Sequence, residues 1–316
     1  MISNEIQFHA PRSLAEALDL LAADGDDLTV LSGGMSLLPM MNLGIIRPTK
    51  VLSLNRVPEL THVSERDGQL VIGAMVRHHR IASDPLIQRH APLLAAAARV
   101  VGDVQVRNRG TIGGSVAHAD PSADYLPALA AAAGTITLAS ARGERTLTPD
   151  EFFIDLMLTS REPEEVVTAV TVPKLPDGWR SAFQRLARVE GSFAIVNAAA
   201  VLAGDRSVAT VALGGVGPRP MVVDASEQLR DGVDEQALGR VGEAVHEAAR
   251  DATGDLMSDA TYRREMASVF AKRALREAAG LAGGTRGSGP AGGGSGPSGG
   301  GPGTAAPQSP SAEVRS

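Results

Sequence analysis

Two short segments, about eighty residues apart, each place a pair of adjacent glycines beside hydroxyl side chains. The first reads Ser-Gly-Gly-Met-Ser over residues 32–36, and the second reads Thr-Ile-Gly-Gly-Ser over residues 111–115. Glycine admits positive φ and lets backbone N–H groups approach an anion closely, while Ser and Thr hydroxyls add donors without formal charge. One glycine pair at the end of a strand is usually only a turn. Two such segments together predict a pair of loops that hold a diphosphate between them with little need for lysine.

Other nucleotide-binding motifs do not occur in the sequence. It contains no G-x-x-x-x-G-K-[ST], and no G-x-G-x-x-G that follows an early strand with an acidic residue downstream. The nearest approach, Gly214–Pro220, carries Pro218 and Pro220 where a helix N-terminus would need backbone donors. We therefore interpret that stretch as a turn and expect neither a P-loop nor a Rossmann fold.

The length of 316 residues predicts two folded domains followed by a tail. A Pro-rich break at 173–178 separates the domains, which we place at residues 1–176 and 177–282. Residues 283–316 are rich in Gly, Ser and Pro and predict a disordered tail.

Hydrophobic periodicity and turn residues predict the elements of both domains. The first domain is expected to contain a helix after Ser13, helices at 86–101 and 125–133, a hairpin at 135–147, and strands at 5–9, 28–31, 51–54, 70–75 and 166–172. The second is expected to contain a three-stranded sheet and then helices, with strands at 181–188, 194–203 and 207–213 and helices near 224–230, 235–251 and 259–279. Strands followed by helices in runs are typical of an α+β fold.

The chain contains no cysteine, which excludes disulfides, thiolate nucleophiles and cysteine-ligated zinc, haem or iron–sulfur centres within it. Its net charge of −6 and the lack of clustered Lys and Arg along the chain argue against nucleic acid as a partner. No stretch approaches the roughly 18 apolar residues of a membrane helix, so no membrane-spanning segment is expected. The N-terminus lacks the basic and apolar regions of a secretory signal, which favours a cytoplasmic location.

Four stretches carry a resemblance to a known family: LSGGMSLLPMMNLGIIRP (31–48), RNRGTIGGSVAHADPSADYLPAL (107–129), LGGVGPRP (213–220) and SDATYRREMASVFAKRAL (258–275). They are similar to the flavin-binding medium subunit of molybdenum hydroxylases, the group of aerobic carbon monoxide dehydrogenase and xanthine dehydrogenase. The resemblance implies an α+β oxidoreductase subunit with a two-subdomain FAD-binding domain of the PCMH-type, vanillyl-alcohol-oxidase-like fold. A small α+β C-terminal domain would follow it.

The resemblance also implies which residues hold FAD. Two groups match the loops on either side of the cofactor diphosphate: Leu31, Ser32, Gly33, Gly34, Met35, Ser36 and Leu37, then Thr111, Ile112, Gly113, Gly114 and Ser115. Ile112 matches a position near the reactive edge of the flavin ring, and Met35 replaces a more usual polar residue.

Asp124 and Phe193 complete the predicted cofactor site. Asp124 matches a position whose carboxylate bonds the ribityl chain or nearby polar groups, and the alternative is a helix N-cap before Tyr125. Phe193 matches an aromatic position that covers the flavin ring, and the alternative is a core residue at the start of a strand. No catalytic residue is predicted. No metal site is predicted either, because the adjacent His78 and His79 point apart and no third ligand accompanies them.

Three functions are compatible with this sequence. The first is the FAD subunit of a molybdenum hydroxylase, taking electrons from iron–sulfur clusters on a small partner and passing them to NAD, a quinone or oxygen. A large partner would hold the molybdenum cofactor, and the heterotrimers would pair. The second is a self-contained FAD-dependent oxidase or dehydrogenase, and the third is a scaffold that kept the fold and lost the cofactor.

Overall fold

A computed structural model of the chain describes residues 5–281, so the predicted tail lies outside the described residues. The N-terminal part forms a three-stranded parallel sheet of order β1-β3-β2. Its elements are β1 (Gln7–His9), α1 (Leu14–Asp24), β2 (Leu28–Leu31), α2 (Leu37–Asn42) and β3 (Lys50–Ser53). Helix α1 begins where the sequence predicts, because the Ser13 hydroxyl accepts the Glu16 N–H at 3.2 Å.

A five-stranded antiparallel sheet of order β4-β5-β10-β6-β7 follows and lies beside a layer of short helices. The elements in chain order are β4 (Val63–Arg66), β5 (Gln69–Gly73), α3 (His78–Ser83), α4 (Pro85–His90), α5 (Pro92–Val100), α6 (Val104–Arg109), α7 (Ile112–His118), α8 (Tyr125–Ala131), β6 (Thr135–Ser140), β7 (Gly143–Leu147), α9 (Pro149–Phe152), β8 (Phe153–Asp155), β9 (Leu158–Thr159) and β10 (Val166–Pro173). The strands predicted at 70–75 and 166–172 and the hairpin at 135–147 are thereby confirmed.

Two predictions for this region are wrong. The helix expected at 86–101 is two helices, α4 and α5, because Pro92 has no N–H to continue the first and Ala91 turns the backbone to φ −135°. The second glycine segment, expected as a loop, forms the first turn of α7. Thr111 caps that helix, since its hydroxyl accepts the Gly114 N–H at 3.1 Å.

The C-terminal part is a four-stranded antiparallel sheet of order β11-β12-β13-β14 covered by helices. Its elements are β11 (Arg180–Leu186), β12 (Val196–Leu202), β13 (Ala209–Gly214), β14 (Met221–Asp224), α10 (Ser226–Leu229), α11 (Glu235–Ala248) and α12 (Ala260–Ala278). The prediction of three strands is therefore wrong by one. Strand β14 has only four residues, which alternate between half-buried and exposed, so it carries a weak apolar signal.

Both faces of β12 are buried, which joins the two parts of the molecule. Ala199 and Val201 pack into the core formed by the helices and five-stranded sheet of the first part. Ala198 and Ala200, which point to the opposite face, pack against α11 and α12. This double burial explains why every residue of β12 except Asn197 is apolar. In residues 5–281 we find no helix with the length and apolar character that crossing a membrane requires.

Candidate functional site

The first glycine segment leaves the end of β2 and enters α2 with its backbone donors unused. Within the described residues, the N–H groups of Gly33, Gly34, Met35 and Ser36 make no hydrogen bond. Gly34 adopts φ +77°, a conformation that non-glycine residues rarely take. Successive N–H groups around such a residue form a concave donor set that suits an anion. The free N–H groups of this segment therefore suit an anion such as a diphosphate.

The second glycine segment is built differently, because four of its five N–H groups, those of residues 112–115, are already bonded within the protein. Gly113 N–H donates to the Ala74 oxygen at 2.9 Å, and Ser115 N–H donates to the Thr111 oxygen at 3.0 Å. A Cβ on Gly113 would lie 2.4 Å from the Ala74 Cβ, so glycine is needed there for close packing. The expectation that both segments supply free backbone donors is therefore wrong for residues 112–115. Within the described residues the Thr111 N–H and the half-buried Ser115 hydroxyl make no hydrogen bond.

The two segments lie against each other, as the sequence predicts. A Cβ on Gly33 would meet the Arg109 carbonyl oxygen at 2.3 Å, and a Cβ on Gly114 would meet the Ser32 Cβ at 3.3 Å. Gly33 thus packs on the residues that precede the second segment, and Ser32 faces the first turn of α7. The Ser32 side chain therefore lies where the first segment meets the first turn of α7.

Asn55 and Arg77, which the sequence analysis did not identify, fasten the two segments together. Asn55 Nδ2 donates to the Ser32 oxygen at 3.0 Å, and Arg77 Nη2 donates to Asn55 Oδ1 at 2.6 Å. Arg77 Nη1 donates to the Arg109 oxygen, the same atom that Gly33 packs against. No local sequence pattern marks these residues, because every one of the contacts spans more than twenty residues.

Asp124 links the first part of the molecule to the C-terminal sheet. Its side chain is 5% exposed, and Oδ1 accepts from Arg185 Nε at 3.0 Å and Asn197 Nδ2 at 3.1 Å. Burial raises the pKa of Asp124 to about 6, against the opposing effect of Arg185 and Asn197. Asp124 precedes α8 directly, but its side chain makes no capping hydrogen bond. Asp124 thus occupies the N-cap position that the alternative predicts, but its carboxylate does not bond the helix.

Phe193 lies on the loop between β11 and β12 and is 57% exposed. The alternative of a core residue at a strand start is wrong, since β12 begins only at Val196. A hydrogen bond holds this loop to the strand before it, because Arg185 on β11 donates to the Ser192 oxygen as well as to Asp124. Gly191, at φ +83°, lets the chain turn beside residues 102 and 103. Phe193 therefore offers an open aromatic face on a loop tied to Asp124.

The adjacent histidines have different surroundings. His78 is buried, and its Nδ1 lies 3.0 Å from the Tyr125 hydroxyl. Burial first, then the charges of Arg77 and Arg107, lowers the pKa of His78 to about 3, so the ring is neutral in ordinary buffers. His79 is exposed on α3. Among the described residues no group of three His, Asp or Glu side chains could hold a metal ion.

The fold and the paired glycine segments define a flavoprotein of the molybdenum hydroxylase class. A family model described as the FAD binding domain in molybdopterin dehydrogenase matches residues 4–175, and one described as the CO dehydrogenase flavoprotein C-terminal domain matches residues 181–278. The chain belongs to this family of FAD-binding medium subunits of oxidoreductases, and its cofactor is FAD. The free N–H groups of Gly33, Gly34, Met35 and Ser36 fit that cofactor's diphosphate.

Individual relatives align over almost their full length. The carbon monoxide dehydrogenase medium chain of Hydrogenophaga pseudoflava is 38% identical over 88% of this chain and 98% of its own. The nicotine 6-hydroxylase medium subunit of Paenarthrobacter nicotinovorans is 34% identical over 86% of this chain and 97% of its own. In the solved structure of Hydrogenophaga pseudoflava carbon monoxide dehydrogenase, one chain superposes with a TM-score of 0.83 at 36% identity, covering 89% of this chain and 99% of that one.

Proposed function

We propose that this chain is the electron-transfer subunit of a molybdenum hydroxylase complex, receiving electrons from iron–sulfur clusters on a partner chain and passing them to an external acceptor. The observation that supports it most is the set of four unbonded N–H groups in Gly33–Ser36, placed against the second glycine segment. Such a donor set binds a dinucleotide diphosphate without a formal charge of its own. The domain limits 1–176 and 177–282 stay part of this proposal.

The proposal requires at least two partners, a large chain with the molybdenum cofactor and a small chain with iron–sulfur clusters. The absence of cysteine supports this division, because the chain has no thiolate to ligate a cluster. The relatives' own names, medium chain and medium subunit, describe proteins that assemble with chains of other sizes. We propose paired heterotrimers in the cytoplasm as the form of the assembly.

Each predicted site residue has a proposed role toward FAD. The first segment and the hydroxyls of Ser32 and Ser115 hold the diphosphate, Ile112 lies near the reactive edge of the ring, and Phe193 covers the ring. Asp124 Oδ1 is taken by two side-chain donors, so only its other oxygen is open to the ribityl hydroxyls. Bound FAD supplies a ring that accepts and releases one or two electrons. The chain's part is to place that ring, tune its potential and admit one acceptor.

The first experiment is the visible absorbance spectrum of the purified full chain, followed by denaturation and identification of the released flavin. We expect FAD rather than FMN, because the proposed site is built for a diphosphate. A colourless chain that also refuses added FAD would support the scaffold alternative. Co-purification from the native host tests the partners: recovery of the chain alone, without a molybdenum-containing large chain and a cysteine-containing small chain, would contradict the assembly.

Under this proposal, a partner chain determines which substrate the complex hydroxylates. Relatives of 38% and 34% identity are named for carbon monoxide and for nicotine, which share no chemical group. A pocket for the hydroxylated substrate in this chain would not tolerate that change. The self-contained oxidase alternative predicts the opposite, since one small substrate should then bleach the flavin of the isolated chain.

A further inference from the structure

Three arginines surround the glycine segments without a carboxylate partner. Arg107 donates to the carbonyl oxygens of Val101 and Gly102, whereas Arg77 donates to Asn55 and to the Arg109 carbonyl. The exposed Arg109 side chain makes no hydrogen bond within the described residues. In residues 5–281 no Asp or Glu oxygen lies within 4.0 Å of any of the three guanidinium groups.

Arg77 is connected to the start of the first glycine segment by two short paths. Its Nη1 atom and Gly33 contact the same carbonyl oxygen, that of Arg109. Its Nη2 atom donates to Asn55, whose side chain donates in turn to the Ser32 oxygen. The guanidinium is therefore one neighbour away from Ser32 and from Gly33.

The charges around Arg77 are unfavourable unless an anion is present. Burial and the nearby charge of Arg109 both lower the pKa of Arg77. A half-buried cation beside a second cation is destabilising when only neutral carbonyl and amide oxygens accept its hydrogen bonds. Neither glycine segment, 32–36 or 111–115, contains a charged residue that could balance a diphosphate. An anion bound to the free N–H groups of the first segment would supply negative charge beside the unpaired guanidinium of Arg77.

We propose that Arg77, with Arg109, supplies the positive charge of the cofactor diphosphate site, while its bonds to Asn55 and the Arg109 carbonyl hold the two glycine segments in place. This inference rests on the proposed binding of FAD at these segments. It assigns to two arginines a function that the neutral glycine motifs cannot perform, because hydrogen bonds to an anion from a charged donor are stronger than those from neutral N–H groups.

The test is titration of the flavin-free full chain with FAD and with riboflavin, which has the same ring and no phosphate. Arg77→Gln should weaken FAD binding about tenfold or more. Riboflavin binding should weaken less than FAD binding in Arg77→Gln, because riboflavin loses only the hydrogen bonds that hold the segments, whereas FAD also loses the charge. Between about 50 and about 300 mM salt, the wild-type affinity for FAD should fall more steeply than that of the variant. Arg77→Lys keeps the charge and should recover most of the lost affinity, and Arg109→Gln should give a smaller loss. Arg66→Gln is the control, since Arg66 is 82% exposed on β4.

The outcomes separate this inference from the proposed function. If the wild-type chain does not bind FAD, the proposed function fails and this inference fails with it. If the wild type binds FAD and Arg77→Gln binds it equally well with the same salt dependence, only the inference is overturned. Equal losses of FAD and riboflavin affinity, or an Arg77→Lys chain as weak as Arg77→Gln, would also overturn it, because either result assigns Arg77 a role other than charge.

Discussion

Gly33→Ala is the substitution that best tests how the two glycine segments meet. The added Cβ would lie 2.3 Å from the Arg109 oxygen and 2.7 Å from the Gly110 Cα, both of them backbone atoms. Ordinary contact begins near 3.4 Å, so the segments must separate by about 1 Å. Overpacking of this kind costs about 1–3 kcal/mol. Gly33 does not require positive φ, so the cost comes from the contact alone.

We expect this separation to appear in two measurements. Urea unfolding of the flavin-free chain should show a loss of about 1–3 kcal/mol, and FAD affinity should fall by about tenfold or more because the N–H groups no longer face the second segment. The matched control is Gly239→Ala in α11, where a Cβ meets nothing within 4 Å and alanine favours the helix. A Gly33→Ala chain with wild-type stability and wild-type FAD affinity would refute the contact between the segments.

Three further substitutions test other parts of the site. Phe193→Ala should change the free energy of unfolding by less than about 0.5 kcal/mol, because the ring is 57% exposed, yet make the bound flavin easier to quench with iodide. Because burial raises the pKa of Asp124 to about 6, the folded chain between about pH 4 and pH 6 holds a proton that the unfolded chain has lost. The resulting contribution to the free energy of unfolding, on the order of 3 kcal/mol, should be fully present below about pH 4 and be lost as the pH rises past 6. This pH dependence should disappear in Asp124→Asn. Arg263→Met should cost about 3–5 kcal/mol in urea unfolding, because the 3% exposed Arg263 donates to the carbonyl oxygens of Ile195 and Gly215 and to a carboxylate. An Arg263→Met loss no larger than that of a substitution at an exposed arginine would contradict this estimate.

The sequence predicts elements well where a local pattern decides them. Alternation and turn residues locate β6 and β7, and Ser13 marks the start of α1. The pattern fails where the tertiary structure overrides local preference. Ile112 and Val116, one turn apart and both fully buried, hold α7 helical through two glycines that would otherwise favour a loop.

The candidate site likewise contains residues that the sequence predicts and residues that it does not. The glycine segments are visible in the sequence because glycine and hydroxyl residues follow each other directly. Asn55 and Arg77 are not, since their function depends on atoms brought near by folding and not on neighbours in the chain. Exposure could not be predicted either: Phe193 stands next to Ala194 and Ile195, which are buried, so its neighbours in sequence indicate a core position.

The position of Phe193 depends on a chain of polar contacts that begins in the first domain. Asp124 accepts from Arg185, and Arg185 donates to the Ser192 oxygen next to Phe193. A change in the ionisation of this buried carboxylate would therefore alter its bond to Arg185, the cation that also holds the loop of Phe193. Since burial raises the pKa of Asp124 to about 6, that change falls within a pH range in which the folded protein can be studied. If Phe193 covers the flavin ring as we propose, the proton on Asp124 is coupled to that cover, and iodide quenching of bound flavin followed across pH 5–7 should show an inflection that Phe193→Ala abolishes.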